Sequence, residues 1–173
     1  MNIPTIETER LVLRAPVLAD LSASLSLWSD PEVVRFIGGV PATEEDVWAR
    51  LQRYVGHWHL LGFGMFVVCD KTGHHLGEIG FLDARRGMEP KLDAPELGWV
   101  LRPSAHGKGI ATEAVSALLA WGEVNIPVAQ SFMCIIDPGN TPSLRVAEKM
   151  GFREIARTTY KNSPTIVFRR PRP

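Results

Sequence analysis

Cysteine is scarce, with only Cys69 and Cys134 among 173 residues. Both lie in apolar runs, Phe66-Val67-Val68-Cys69 and Phe132-Met133-Cys134-Ile135-Ile136, where a free thiol acts as a small buried hydrophobe. Two such thiols supply neither a disulfide framework nor a zinc cluster. An excess of either charge is also missing, because 19 basic residues balance 19 acidic ones. The chain therefore has no overall field to draw it to nucleic acid or to an anionic bilayer. No apolar run approaches membrane-spanning length, and the N-terminus has no basic region leading into an apolar core and cleavage site. A reducing cytoplasm is the default location.

Metal-like clusters are lacking too. His57 and His59, two residues apart, fall on different faces of a helix, and His74-His75 follows the turn signal Thr72-Gly73 between two apolar stretches. The second pair reads as polar residues at a hairpin tip, so no metal site is expected.

The length and the 45% hydrophobic content fit one domain, residues 1–173, with a sizeable core. Arg169, Arg170 and Arg172, interrupted by Pro171 and closed by Pro173, read as a frayed tail over Arg169–Pro173. An arm contacting RNA is the weaker alternative.

Residues 5–14 alternate well enough for an opening strand that ends at Pro16. Asp20 is placed to cap a helix over Leu21 to Trp28, and Thr43 with Glu44, Glu45 and Asp46 to start another. In that second helix Val47, Leu51, Tyr54, Val55 and Trp58 form a packing stripe. Gly64 to Asp70 and Leu76 to Leu82 read as a hairpin, and residues 83–93 as an exposed charged loop. Ala129 to Ile136 is a buried strand, followed by a helix capped by Thr141, with Gly151 closing it, and by two last strands, residues 152–158 and 165–169. The strand and helix order after residue 64 implies an α/β mixed central sheet with helices on both faces.

The most informative stretch runs from Glu96 to Ala114. It joins a short apolar strand, a proline break and a glycine-punctuated turn to a helix carrying Ala114, Val115, Leu118, Leu119 and Trp121 at helical spacing. Glycines at 107 and 109 permit left-handed backbone, so that successive N–H groups can face one hollow at the positive end of a helix, a setting that suits phosphate. The spacing is neither that of a Walker A loop nor Gly-x-Gly-x-x-Gly.

His106-Gly107-Lys108-Gly109-Ile110-Ala111 resembles the acetyl-CoA pyrophosphate loop of the GCN5-related N-acetyltransferases, Gln/Arg-x-x-Gly-x-Gly/Ala, with His106 departing at the first position. Gly107 to Ala114 also resemble the Gly-Lys-Gly-Tyr-Ala-Thr-Glu-Ala run of the subgroup that acetylates ribosomal-protein N-termini, apart from Ile110. Asn140 to Phe152 resembles the family's Asn-x-x-Ser…Glu-Lys-x-Gly-Phe block, and Thr8-Glu9-Arg10-Leu11-Val12-Leu13-Arg14 extends the likeness towards the start of the chain. The resemblance implies an acyl-CoA N-acyltransferase fold whose fourth and fifth strands splay, so that the pantetheine arm lies between them. It also implies acetyl-CoA as co-substrate and a primary amine as acceptor, either a protein N-terminus or a small molecule.

Acetyl transfer needs a held thioester, a neutral amine, a stabilised oxyanion and a proton for the departing thiolate. On the resemblance, the N–H groups of Gly107, Lys108, Gly109, Ile110 and Ala111 hold the pyrophosphate, with Thr112 adding its hydroxyl and Lys108 its charge. His106 is a candidate phosphate contact, and Lys149 with Arg145 are candidates to reach the adenosine-side phosphates. The backbone of Val100, Leu101 and Arg102 pairs with the arm, and the N–H of Val100 or Leu101 serves the oxyanion. Asn140 is either an arm contact or a turn asparagine.

Glu96 is the first candidate base and Glu78 the second, and a site that binds the amine already neutral needs neither. Relatives place a tyrosine acid where this chain has Ala147, so the proton source moves to Ser143, whose alternative is a helix-start role. A non-catalytic CoA-binding module is the rival reading. A homodimer is the default assembly.

Overall fold

The computed structural model describes residues 3–127 and 129–172. Eight strands form one mixed sheet in the order β1-β2-β3-β4-β5-β6-β8-β7. They are β1 (Ile6–Glu7), β2 (Leu11–Arg14), β3 (Met65–Asp70), β4 (His75–Leu82), β5 (Glu96–Leu101), β6 (Ser131–Ile136), β7 (Arg153–Tyr160) and β8 (Ser163–Pro171). The helices are α1 (Leu21–Trp28), α2 (Pro31–Val34), α3 (Glu44–Leu61), α4 (Ile110–Asn125) and α5 (Thr141–Lys149).

The opening strand expected over residues 5–14 is broken. Thr8 N–H bonds to Leu11 O at 3.0 Å, folding the segment into a small hairpin with Ile6 opposite Leu13. Because this adds one strand at the start, the splaying pair expected as fourth and fifth is β5 and β6 here. The two run parallel but share a single bridge, Glu96 with Met133, while β4 and β5 pair over six positions from Leu82–Glu96 to Gly77–Leu101. Past Glu96 the β5–β6 seam stands open.

Local sequence fixes the helices. In α3 a capping box joins Thr43 and Asp46, whose Oδ2 accepts from Thr43 N at 2.9 Å while Thr43 Oγ1 accepts from Asp46 N at 3.2 Å. Such a cap stabilises by about 1 kcal/mol. Val47, Leu51, Tyr54 and Trp58 are buried along its inner stripe, and Gly62 at φ 74° stops it. Asp20 does not cap α1: its carboxylate is drawn instead into a two-pronged pair with Arg14, at 2.7 and 2.8 Å. In α5, Asn140 rather than Thr141 is the cap, accepting from Ser143 N at 3.3 Å.

The larger core lies on the α4 face, where Phe81, Phe132, Leu97, Leu118 and Ala147 are buried together. On the opposite face, Leu27, Trp28, Val33, Val34 and Val47 of α1, α2 and α3 form a second cluster against Val100. Two further expectations are corrected. Segment 83–93 is not wholly exposed, because Met88 packs with Met133 and Val167. Arg169 and Arg170 are not frayed: they belong to β8, where Arg169 bonds Ser131 and Asp93, and Arg170 bonds Glu123 and the Met150 carbonyl. Arg172 continues this anchoring on the carbonyls of Glu123 and Ala129. Pro173 lies outside the described residues.

Candidate active site

The bend after β5 is assembled in steps. Pro103–Ala105 make one 3-10 turn, with Ala105 N–H bonded to Arg102 O at 2.9 Å and His106 N–H to Pro103 O at 3.0 Å. Gly107 at φ 70° and Gly109 at φ 75° then take left-handed backbone, which costs other residues about 1 kcal/mol each. The first bond into α4 runs from Glu113 N–H to Gly109 O at 3.0 Å. Among the described residues, the N–H groups of Gly107, Lys108, Gly109, Ile110, Ala111 and Thr112 therefore have no backbone partner. They form a run of free donors at the positive end of a 16-residue helix.

Glu113, which would compete for that positive end, is turned away from it. Its carboxylate accepts from Thr8 Oγ1 at 2.5 Å, Arg10 N at 2.9 Å and Arg10 Nε at 2.6 Å, while Arg10 Nη1 donates to the Lys108 carbonyl at 2.9 Å. These contacts hold the Glu113 carboxyl below its ordinary range, against the opposing effect of burial. His106 points elsewhere as well: its Nε2 lies 3.0 Å from the Leu101 carbonyl, which can only accept, so that nitrogen carries the proton.

Strand register decides which β5 groups face the gap. Arg102 N–H bonds to Leu76 O at 2.9 Å, so with a period of two Arg102, Val100 and Gly98 present their backbone to β4. Leu101 and Trp99 therefore present N–H and C=O to the open side. Of the three residues expected to pair with the arm, only Leu101 has its backbone aimed there, and Trp99 joins it. The Arg102 side chain is also occupied, with Nε on His75 O at 2.9 Å and Nη2 on Ala23 O at 2.7 Å.

Because β5 and β6 are parallel, their C-terminal ends lie at one end of the sheet. The loop Arg102–Gly109 and the turn Asp137–Asn140 thus flank the mouth of the same gap, a position that suits ligands in open sheets. Asn140 and Ser143 are partly exposed there, at the start of α5. Lys149 sits at the other end of α5, about 12 Å along the axis at 1.5 Å per residue.

Glu96 lies at the closed end of the gap, about 17 Å along β5 from Leu101 at 3.3 Å per residue. It is 4% exposed, and both its oxygens are held by Arg86, at 2.6 and 2.8 Å. The Arg86 guanidinium also lies 5.1 Å from the Tyr160 ring centre. Glu78 is fully buried and accepts from Ser24 Oγ at 2.7 Å, Trp28 Nε1 at 2.8 Å and Tyr54 Oη at 2.7 Å. Burial first, and then the Glu78 charge, push the Tyr54 phenol well above its ordinary value.

The glycine loop, Leu101, Asn140 and Ser143 thus gather around one opening; Glu96 and Lys149 do not, and Glu78, opposite Val100 on β4, has its carboxylate turned into the layer of α1 and α3. Sequence reasoning missed the roles of Thr8, Arg10 and Glu113, which stood within quoted motifs without an assigned contact. Among the described residues no group of three or more His, Cys, Asp or Glu side chains is placed to hold a metal, and no helix is long and apolar enough to cross a membrane.

Residues 10–153 match the family model described as an acetyltransferase (GNAT) domain. The N-acetyltransferase p20 of Bacillus licheniformis is 28% identical over 154 residues, covering 87% of this chain and 83% of its own length. A GNAT-family acetyltransferase structure from Bordetella pertussis superposes with a TM-score of 0.85 at 29% identity, covering 97% of this chain and 99% of the other. RimL, the ribosomal L7/L12 α-N-protein acetyltransferase, solved with coenzyme A, shares the fold at a TM-score of 0.75 and 15% identity, covering 97% and 98% of the two chains.

Proposed function

Since this chain belongs to the GNAT family of acetyltransferases, we propose that it moves the acetyl group of acetyl-CoA to a primary amine by direct attack, with the site at the mouth of the β5–β6 gap. The observation that carries this reading is the run of unpartnered N–H groups from Gly107 to Thr112 beside a strand edge left open beyond Leu97. A diphosphate matches the first and an amide-bearing arm the second. Enzyme membership displaces the rival of a binding module without chemistry.

In this mechanism the loop donors and Thr112 hold the pyrophosphate, Lys108 adds charge at the rim, and His106 orients the loop through Leu101. The Leu101 N–H is the oxyanion donor, being the member of the Val100–Leu101 pair that faces the gap. The neutral amine attacks the thioester carbon, a C–N bond forms, and the C–S bond breaks as the tetrahedral oxyanion collapses. The Ser143 hydroxyl delivers a proton to the thiolate and is resupplied by water, which also takes the proton lost from nitrogen. Asn140 offers its Nδ2 to the arm while its Oδ1 caps α5.

A carboxylate held on two sides by a guanidinium is a poor proton acceptor. We therefore assign Glu96 to anchoring Arg86, and Glu78 to fixing α1 and α3, with the amine entering uncharged. Calorimetry with acetyl-CoA and a thiol-release assay across an amine panel test the proposal. Binding with release supports it, and absence of cofactor binding overturns it.

A further inference from the structure

A side chain of the α2 segment crosses the open seam. Val33 and Val34 pack in the cluster that seats Val100 of β5, yet two residues later the chain has reached the turn beyond β6. A Cβ added at Gly139 would meet Phe36 Cε1 at 3.0 Å and Cδ1 at 3.7 Å, so the ring edge lies against bare Gly139 backbone. Because β5 and β6 run parallel, Val100 and Gly139 stand at the same end of the sheet. Phe36 therefore spans the gap at its mouth, on the face opposite the core that α4 shares with Ala147 of α5. It adds no backbone bond across the seam.

Phe36 is half-buried, whereas Arg35 and residues 37–40 on either side of it are exposed. The ring is held on two sides, since the Arg35 guanidinium lies 5.1 Å from its centre. The turn beneath it is stiff: Gly139 N–H donates to Asp137 Oδ1 at 2.7 Å, Asn140 N–H to Asp137 O at 2.9 Å and Thr141 N–H to Gly139 O at 3.0 Å. The loop that carries the ring is tied as well. Ile37 and Gly39 both donate N–H to Val34 O, at 2.7 and 2.9 Å, and Ala42 N–H reaches Trp28 O at 3.0 Å. Ring and turn thus meet as two fixed surfaces, one residue from Asn140.

We propose that Phe36 is a specificity-determining residue, a roof over the acceptor entrance that admits an amine on an unbranched carbon and excludes one with bulk beside the nitrogen. This rests on the acetyltransferase reading of the same opening. The free N–H groups at the start of α4 hold the coenzyme toward the α4 face, which leaves the Phe36 face for the amine. A ring that touches the far bank of the gap withdraws only by losing its packing, so a branched acceptor meets a wall rather than a yielding side chain.

The test compares two pairs of equal charge, glycinamide with valinamide and 1-aminopropane with 2-aminopropane, by thiol release from acetyl-CoA. In the parent, kcat/KM should fall by about tenfold or more from the unbranched to the branched member of each pair that reacts. Phe36→Ala should raise the branched member by about fivefold or more, leaving the unbranched one and the calorimetric acetyl-CoA dissociation constant within about twofold. Gly139→Ala attacks the contact from the other bank: its backbone is not left-handed, so alanine is allowed and only the ring must give. It should change the branched-to-unbranched ratio with Phe36 present and leave it unchanged in a Phe36→Ala background. Should Phe36→Ala fail to fold, Phe36→Leu carries the same comparison with a smaller change. Branched amines reacting as well as unbranched ones in the parent, a ratio unaltered by the Phe36 variants, or an equal loss on every amine overturns the roof and leaves the transferase reading intact. Thiol release from no amine overturns both.

Discussion

Arg10 and Glu113, 103 residues apart in sequence, meet with Arg10 Nε and Glu113 Oε2 2.6 Å apart, tying the turn between the first two strands to the first turn of α4. The same arginine holds the Lys108 carbonyl, so the glycine loop is braced from outside the segment that forms it. Arg10→Ala should weaken acetyl-CoA binding by roughly fivefold through lost preorganisation. With Arg10 nearly half exposed, the thermodynamic loss should stay below about 1 kcal/mol. Calorimetry and chemical denaturation on one variant separate the two effects; a large stability loss with unchanged affinity would contradict the brace.

The two left-handed glycines should differ in what their substitution disturbs. An alanine Cβ at Gly107 meets nothing within 4 Å, so only backbone strain of about 1 kcal/mol opposes it. At Gly109 the Cβ comes 3.5 Å from Arg10 Nη2, an ordinary contact, but the residue is the N-cap of α4, its carbonyl accepting from Glu113 N, so the same strain falls on the helix entry itself. Gly109→Ala should therefore lower cofactor affinity more than Gly107→Ala, as read by equilibrium titration.

Glu78 separates a structural carboxylate from a catalytic one. In Glu78→Gln the amide oxygen still accepts from Trp28 and Tyr54, and the Ser24 hydroxyl can turn to accept from the new NH2. Activity should persist, with stability within about 1 kcal/mol of the parent. Glu78→Leu leaves the indole and phenol donors buried and unmatched, and should cost about 3 kcal/mol or more in urea unfolding. Turnover abolished in the Gln variant would make Glu78 a base after all.

His75 is buried with neither ring nitrogen hydrogen-bonded. Burial chiefly lowers its proton affinity, with Arg102 adding to that and Glu78 and Asp20 opposing it. The unfolded chain therefore takes up a proton first as pH falls, so stability should decline below about pH 6.5. His75→Phe should flatten that limb of a stability–pH curve. The Asp20–Arg14 pair acts lower: the depressed Asp20 value gives stability that is full above about pH 4 and lost as pH falls through the folded value.

Ser143→Ala should reduce turnover by about tenfold or more and leave the acetyl-CoA dissociation constant within about twofold. Single-turnover rates beside calorimetric titration would show this. Unchanged turnover would assign the proton to solvent.

The left-handed bend before α4 was legible because its determinants are local. Gly107, Gly109 and the apolar stripe of α4 lie within one window, and left-handed backbone leaves its mark on sequence. The backbone direction of Leu101 was not legible, since facing the gap or facing β4 depends on the register with Leu76. Glu96 looked like a free acid at a strand start because its partner Arg86 lies in an irregular segment that carries no periodic signal. The terminal arginines misled for the same reason: prolines nearby suggest an end, whereas Ser131, Asp93 and Glu123, far back in the chain, turn Arg169 and Arg170 into strand residues.

The single bridge between Glu96 and Met133 has a mechanical corollary. It leaves the first five strands and the last three as two panels whose seam is stitched at one end, with the far end held by whatever occupies the slot. On the proposed function, coenzyme bound there would complete the missing rungs and couple the panels into one cooperative body. Slowed amide exchange should then appear on both banks of the seam together, at Trp99 and Leu101 as well as along the facing strand, rather than only at the glycine bend.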